Sequence, residues 1–193
     1  MLELNEVLIE GEPHTLSLMA HEGGLTCLAG GTPQRLTRWL YAMMGFVPVA
    51  TGFISIDGEP MTARNGEELR RTMAFVPDKL EPIGQVVVYE PPTVQQVFGL
   101  RANRDLPISN GLPAEEMRRT GTSGDKAQWL AVAALLKRPI LLVDNPVPAS
   151  MDYLRRLASA GSTIILTTQD NAVADLADTN VWLESSSAIL SHY

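Results

Sequence analysis

The chain has 193 residues, of which 45% are apolar and 19% charged, a length for one domain or for one domain with an inserted lobe, and a composition that excludes wholesale disorder. Its net charge of −7 argues against nucleic acid or anionic lipid as the default partner. The basic residues are lopsided, twelve Arg against three Lys (Lys79, Lys126 and Lys137), and the one cysteine, Cys27, excludes a disulfide framework and a cysteine-based zinc site.

Taken in chain order, residues 14–29 hold two short apolar runs, HTLSLMA and LTCLAG, parted by the turn signal Glu22-Gly23-Gly24. Cys27 sits in the second run and reads as a small buried hydrophobe. RLTRWLYAMMGF (35–46) reads as a helix with Leu36, Leu40, Met43 and Met44 on one face and Gly45 as its stop. GFISIDGE (52–59) suits a strand closed by an Asp57-Gly58 turn, and TMAFVP (72–77) is a further apolar strand. Residues 78–124 change character: they are rich in Pro, Asn, Gly and charge, with short helix candidates near 93–101 and 113–119, and read as an inserted, partly helical lobe.

The second half alternates more regularly. DKAQWLAVAALLK (125–137) has helical spacing, and ILLVD (140–144) is a continuous apolar run ending in an acid, of the kind found in a central parallel strand buried on both faces. A helix (151–160), a buried strand (162–168), a helix (171–178) and a strand (180–184) follow. This alternation predicts an α/β fold with a parallel sheet, whose ligands sit at the carboxyl ends of the strands. The segments after Leu28, Val76, Val143 and Leu166 then share one edge. Trp39, Trp129 and Trp182 fall at apolar phases and read as core. His14, His21 and His192 lack metal spacing and read as surface or packing residues, and the charges of PAEEMRR (113–119) as a solvated helix face.

Seven segments, in order and spacing, resemble the ATP-binding subunits of ABC transporters over nearly the whole chain. CLAGGTPQRLTRWLYAMMGF stands where that family has its phosphate loop and first helix, TGFISIDGEPM, MAFVPD and PTVQQV follow, and TSGDKAQWLAVAALLKRPILLVDNP resembles the signature helix and Walker B strand. TIILTTQD matches the strand that ends in the switch histidine, and ADTNVWLES the terminal strand. The resemblance implies a P-loop NTPase-like fold: a mainly parallel central sheet flanked by helices, a short antiparallel N-terminal part and a small helical insertion. It also implies one domain, 1–193, with the reduced lobe at about 78–124.

At the positions that do the family's chemistry, most residues differ. A working phosphate loop, GxxxxGK[ST], cradles phosphates on backbone N–H groups and neutralises them with its lysine. Here the loop reads Gly30-Gly31-Thr32-Pro33-Gln34-Arg35-Leu36-Thr37. Pro33 has no N–H to give, Arg35 replaces a glycine that allows close approach, and Leu36 replaces the lysine. The remnant nucleotide-loop residues are Gly30, Gly31, Arg35 and Thr37, and Thr37 with Asp144 forms the candidate metal pair. Against that role stand the plainer readings of Thr37 as a hydroxyl bonded to its own helix and Asp144 as a loop cap.

Asn145 takes the place of the glutamate that activates water, and a carboxamide cannot accept the proton. Asp78 stands at the glutamine position and Gln169 at the histidine position. The signature becomes Gly121-Thr122-Ser123-Gly124-Asp125, with Gly124 as its remnant. Ile9 and Glu10 stand where an adenine-stacking aromatic is expected.

Phosphoryl transfer depends on positioning and positive charge, so the resemblance with these losses implies a non-hydrolysing, pseudo-ATPase-like binding or regulatory subunit of a transporter-like complex, with no catalytic residue and no cofactor. The alternative is a divergent working ATPase that uses ATP and Mg²⁺ to energise transport. The expected partners are proteins, either another subunit of the same type, as a homo- or heterodimer, or a membrane permease subunit. Nucleic acid is not expected. No apolar run approaches the roughly 20 residues that span a bilayer, and MLELNEVLIEGE lacks a basic stretch leading into an apolar one, so no signal peptide is expected. The expected location is the cytoplasm, peripheral to the membrane's inner face only through a partner.

Overall fold

The computed structural model describes residues 1–78 and 114–183. The helix expected near 93–101, most of the inserted lobe, and His192 lie outside the described residues. Two sheets organise the rest. The first is antiparallel, in the order β2-β1-β4-β5, from β1 (Leu2–Ile9), β2 (Leu16–Ala20), β4 (Val49–Ile56) and β5 (Glu59–Pro60). The second is parallel, in the order β6-β7-β8-β3-β9, from β3 (Leu25–Ala29), β6 (Met73–Val76), β7 (Ile140–Asp144), β8 (Thr163–Thr168) and β9 (Thr179–Trp182). Helix α1 (Pro33–Met43) follows β3, and α2 (Gly66–Arg70) precedes β6. Between β6 and β7 lie α3 (Ala114–Arg119) and α4 (Gly124–Leu136), then α5 (Met151–Ser159) follows β7 and the single turn α6 (Asn171–Ala174) follows β8.

Strands β3, β6, β7 and β8 are buried at every residue because both of their faces are covered, whereas the edge strand β9 is largely exposed. In β7, Ile140 and Leu142 face one core, whereas Leu141 and Val143 face the other. In β6, Met73 and Phe75 part from Ala74 and Val76 in the same way. The first core joins the antiparallel sheet to α1 through Leu4, Ile54, Trp39 and Leu40. The second packs α4 and α5 through Trp129, Leu130, Tyr153 and Leu154. Cys27 is fully buried in this second core, and burial pushes its thiol up to about 12, so it is an inert hydrophobe as expected.

Most expected elements are present with shifted ends. The first strand, LELNEVLI, was not among the expected ones, because a bulge between Leu4 and Val7 breaks its alternation. The short α2 also carries no amphipathic signal. Helix 171–178 shrinks to α6, one turn capped by the Asp170 carboxylate on the Ala172 N–H at 2.9 Å. Trp182 is not core: it is 53% exposed on the edge strand β9, whereas Trp39 and Trp129 are buried as expected. His14 and His21 are exposed. The Asp57-Gly58 turn has both residues at positive φ, 51° and 82°, and carries β4 into β5.

One close backbone approach ties the segment before α4 to the turn at Pro148–Ser150 that follows β7. Gly121 has φ +73°, and a Cβ there would lie 2.0 Å from the Ala149 carbonyl oxygen, a main-chain atom that cannot step aside. Nearby, the Tyr153 hydroxyl donates to the Glu116 carboxylate at 2.5 Å, and Arg156 donates to the Arg119 carbonyl at 3.1 Å. Gly121→Ala is therefore expected to cost about 3 kcal/mol or more. Urea unfolding measures this, and a loss below about 1 kcal/mol would mean that the segment can move off Ala149 freely.

Candidate functional site

Because β6, β7, β8 and β3 run parallel in one sheet, their carboxyl ends share an edge. That edge gathers Asp78, Asp144, Asn145, Gln169 and the Gly30–Thr37 loop, the grouping that the sequence predicts. Gly30 and Gly31 have φ +79° and +74°, which swings the chain sharply out of β3. Thr32 then caps α1: its hydroxyl accepts from the Arg35 N–H at 3.3 Å, and its carbonyl accepts from the Leu36 N–H at 3.0 Å. With Pro33 at the first turn, α1 starts two residues before the helix expected from Arg35 onward.

This early start decides what the loop can hold. An anion nest needs N–H groups that converge on an open space. Pro33 offers none, and those of Arg35 and Leu36 are spent on Thr32. The Leu36 side chain, at the lysine position, is 2% exposed and belongs to the first core.

The Arg35 side chain folds back over Gly31, where its Cδ would lie 3.3 Å from an added Cβ. It clasps Glu12 from the turn after β1: Nε lies 2.9 and 2.8 Å from the two carboxylate oxygens, and Nη2 lies 2.6 Å from Oε2. The Glu12 side chain is only 3% exposed, so the pair is largely desolvated. Breaking such a pair costs about 3–5 kcal/mol, which fixes Arg35 to Glu12 rather than leaving it to serve as a phosphate ligand. Gln169 donates to the Gly31 carbonyl at 2.7 Å and closes the loop from the β8 side. As folded, the Arg35 and Leu36 N–H groups and the Arg35 side chain are committed to Thr32 and Glu12, and no chemical step is derived through a triphosphate.

The candidate metal pair is brought together. Thr37 Oγ1 lies 2.6 Å from Asp144 Oδ2, and the Thr167 hydroxyl donates to Asp144 Oδ1 at 2.7 Å. Thr37 Oγ1 also lies 3.0 Å from the Pro33 carbonyl, as the reading of a hydroxyl bonded to its own helix expects. A threonine hydroxyl has a single proton. With Asp144 ionised, that proton serves either the carboxylate or Pro33. With Asp144 protonated, the carboxyl donates to Thr37, which donates onward to Pro33, and every contact is a hydrogen bond. Burial pushes the Asp144 carboxyl up from its ordinary range, against the two hydroxyls and the nearby Lys126 charge. Asn145, at the water-activating position, has φ +49° and gives its backbone N–H to the Thr167 carbonyl at 2.9 Å, with its exposed side chain outside this network.

Two participants escape sequence reasoning. Glu12 carries no motif; only the fold shows that the β1–β2 turn passes beside α1. Lys126, the third residue of α4, enters the edge from the far side: its ammonium donates to the Pro77 carbonyl at 3.1 Å and to the Asp144 carbonyl, and lies 3.7 Å from Asp78. A lysine just past the signature remnant was a signal available in the sequence. Gly124 opens α4 at φ +63°, preceded by Ser123 without a side-chain cap bond. Among the described residues no cluster of three or more His, Cys, Asp or Glu forms a metal site, and no helix is long and apolar enough to cross a membrane.

The fold is that of the ATP-binding subunits of ABC transporters. One such subunit superposes with a TM-score of 0.69 at 21% identity, over 95% of this chain and 86% of its own. The protein cbiO1 from Clostridium perfringens, part of the cbiONQ transporter complex, gives 0.66 at 19% identity, over 95% and 84%. The dimeric cassette MJ0796, bound to ADP and Pi after hydrolysis, gives 0.64 at 18% identity, over 95% and 94%. No protein-family model and no curated protein sequence matches the chain. The solved relatives are ATP-binding or nucleotide-bound proteins, so they lend no support to the expectation of a chain without cofactor.

The raised Asp144 pKa has a pH consequence. Between the unfolded value near 4 and the higher folded value, the native state keeps a proton that the unfolded chain has released. This contribution is complete below about pH 4 and is lost as pH climbs through the folded value. Urea unfolding from pH 4 to pH 8 is expected to show a decline that Asp144→Asn lacks; parallel curves for the two proteins would show that the carboxyl titrates normally.

Proposed function

We propose that this chain is a non-hydrolysing member of the ABC ATPase fold, acting as a binding or regulatory subunit beside a protein partner. The observation that carries the reading is the start of α1 at Pro33: the N–H groups of Arg35 and Leu36 are committed to Thr32, and the residue at the lysine position is in the core. The Arg35–Glu12 clasp and the Gln169–Gly31 bond support it, since each occupies a group that a phosphate would need. The partner is proposed from the company kept by the relatives, one a dimer and one part of a transporter complex. Attachment to a membrane is then indirect, from the cytoplasmic side, through that partner.

A second reading is favoured by one observation. Thr37 and Asp144 still meet at 2.6 Å, the pair through which a divalent ion would be held in a divergent ATPase. Mg·ATP hydrolysis by the complete complex, abolished by Asp144→Ala, would establish that reading.

Isothermal titration with Mg·ATP separates the two. No saturable binding is expected up to about 1 mM, and a low-micromolar Kd would overturn the non-nucleotide reading. Restoring the lysine alone is not expected to help. Leu36→Lys puts an ammonium into the first core and is expected to destabilise the fold by about 3 kcal/mol or more, with nucleotide binding still absent. Thermal unfolding and the same titration check both outcomes.

A further inference from the structure

Lys126 is placed against the usual preferences of a lysine. It is the third residue of α4, where the helix dipole disfavours a cation. Its side chain is 13% exposed, and burial lowers its pKa, opposed by Asp78 and Asp144. What surrounds the nitrogen is oxygen, contributed by two neighbouring strands. The Pro77 carbonyl follows β6, the Asp144 carbonyl ends β7, and Asp78 Oδ1 lies 3.7 Å away. The two strands are paired up to Val76 and Val143, so their next carbonyls emerge side by side at the edge. Two carbonyls and a carboxylate are hard oxygen donors of the kind that hold Mg²⁺, Mn²⁺ or Ca²⁺.

We propose that Lys126 is a built-in cation, its ammonium filling the oxygen cage between the ends of β6 and β7 that a divalent metal ion would otherwise take. The cleft thereby neutralises its own acidic groups without an external ion. Lys126 acts as a positioning residue: it joins the first turn of α4 to the sheet edge, while Trp129, Leu130, Val132 and Ala133 hold the rest of that helix by apolar packing. This deepens the reading of a cleft that works without Mg·ATP and takes its meaning from that reading, but the cage stands on its own geometry. Charge, and not hydrogen bonding alone, is what Lys126 supplies. A glutamine could still donate to the carbonyls, so Lys126→Gln isolates the charge.

The test is isothermal titration with MnCl₂ at pH 7 without nucleotide, so that its failure leaves the Mg·ATP result untouched. The wild-type protein is expected to show no saturable site. Lys126→Gln is expected to gain one with a Kd of about 0.1–1 mM, the range of weak oxygen-ligand sites, and adding Asp78→Asn is expected to weaken it at least about tenfold. Saturable Mn²⁺ binding by the wild type as tight as that of the variant overturns the proposal, as does a folded Lys126→Gln that binds none, or a gained site indifferent to Asp78→Asn. Should Lys126→Gln lose the wild-type circular dichroism spectrum, Mn²⁺ is expected to recover it, and a spectrum unchanged by Mn²⁺ overturns the proposal equally.

Discussion

Thr32 holds the first turn of α1, and the character of the whole cleft depends on that hold. Its carbonyl and hydroxyl take the N–H groups of Leu36 and Arg35, so the chain leaves β3 through two glycines and enters a regular helix at once. Once residues 33–36 are helical, side-chain directions follow. Leu36 falls on the buried face with Leu40 and Met43, and Arg35 falls one position away, where it can reach Glu12. A loop that stayed open would leave these N–H groups to be met by a ligand or by water. Here the helix meets them itself.

Electrostatics at the edge follow the same pattern of internal satisfaction. Arg35 is answered by Glu12, Lys126 by Asp78 and two carbonyls, and Asp144 by two threonine hydroxyls. Each of these groups is costly to desolvate as an ion, and each is accompanied by a partner or a hydrogen bond. Such pairs are weak sources of net stability but strong determinants of geometry, because losing one partner strands the other. The acidic balance of the chain is thus not spread evenly: several carboxylates stand at this edge, held beside cations that the chain provides.

Much of the fold was legible because buried parallel strands announce themselves. ILLVD and TIILTT carry unbroken apolar runs, Ile140–Val143 and Ile164–Leu166, and are buried at every residue, as strands covered on both faces are. The bulged β1 was not legible as a strand, since its bulge scrambles the alternation, and α2 is too short to show a period. Trp182 misled because edge strands admit aromatics without burying them. At the site, the grouping of Thr37, Asp144, Asn145 and Gln169 could be read from spacing along the chain. Glu12 and Lys126 could not be placed that way, since each meets its partners across long sequence separations that only tertiary packing brings together. The start of α1 fell two residues early for a local reason: Thr32-Pro33 is a helix-start signal in its own right, and the apolar period alone begins later.

The exposed Trp182 has an optical consequence. Its ring lies against Gly30, at the root of the loop, whereas Trp39 and Trp129 are enclosed in the two cores. The three indoles therefore sample water and protein interior separately. The solvent-facing one emits at longer wavelength and is open to aqueous quenchers, so the red edge of the protein's fluorescence watches the loop while the blue edge watches the cores. A binding event at the sheet edge and a loosening of the fold would thus leave different colours in the same spectrum.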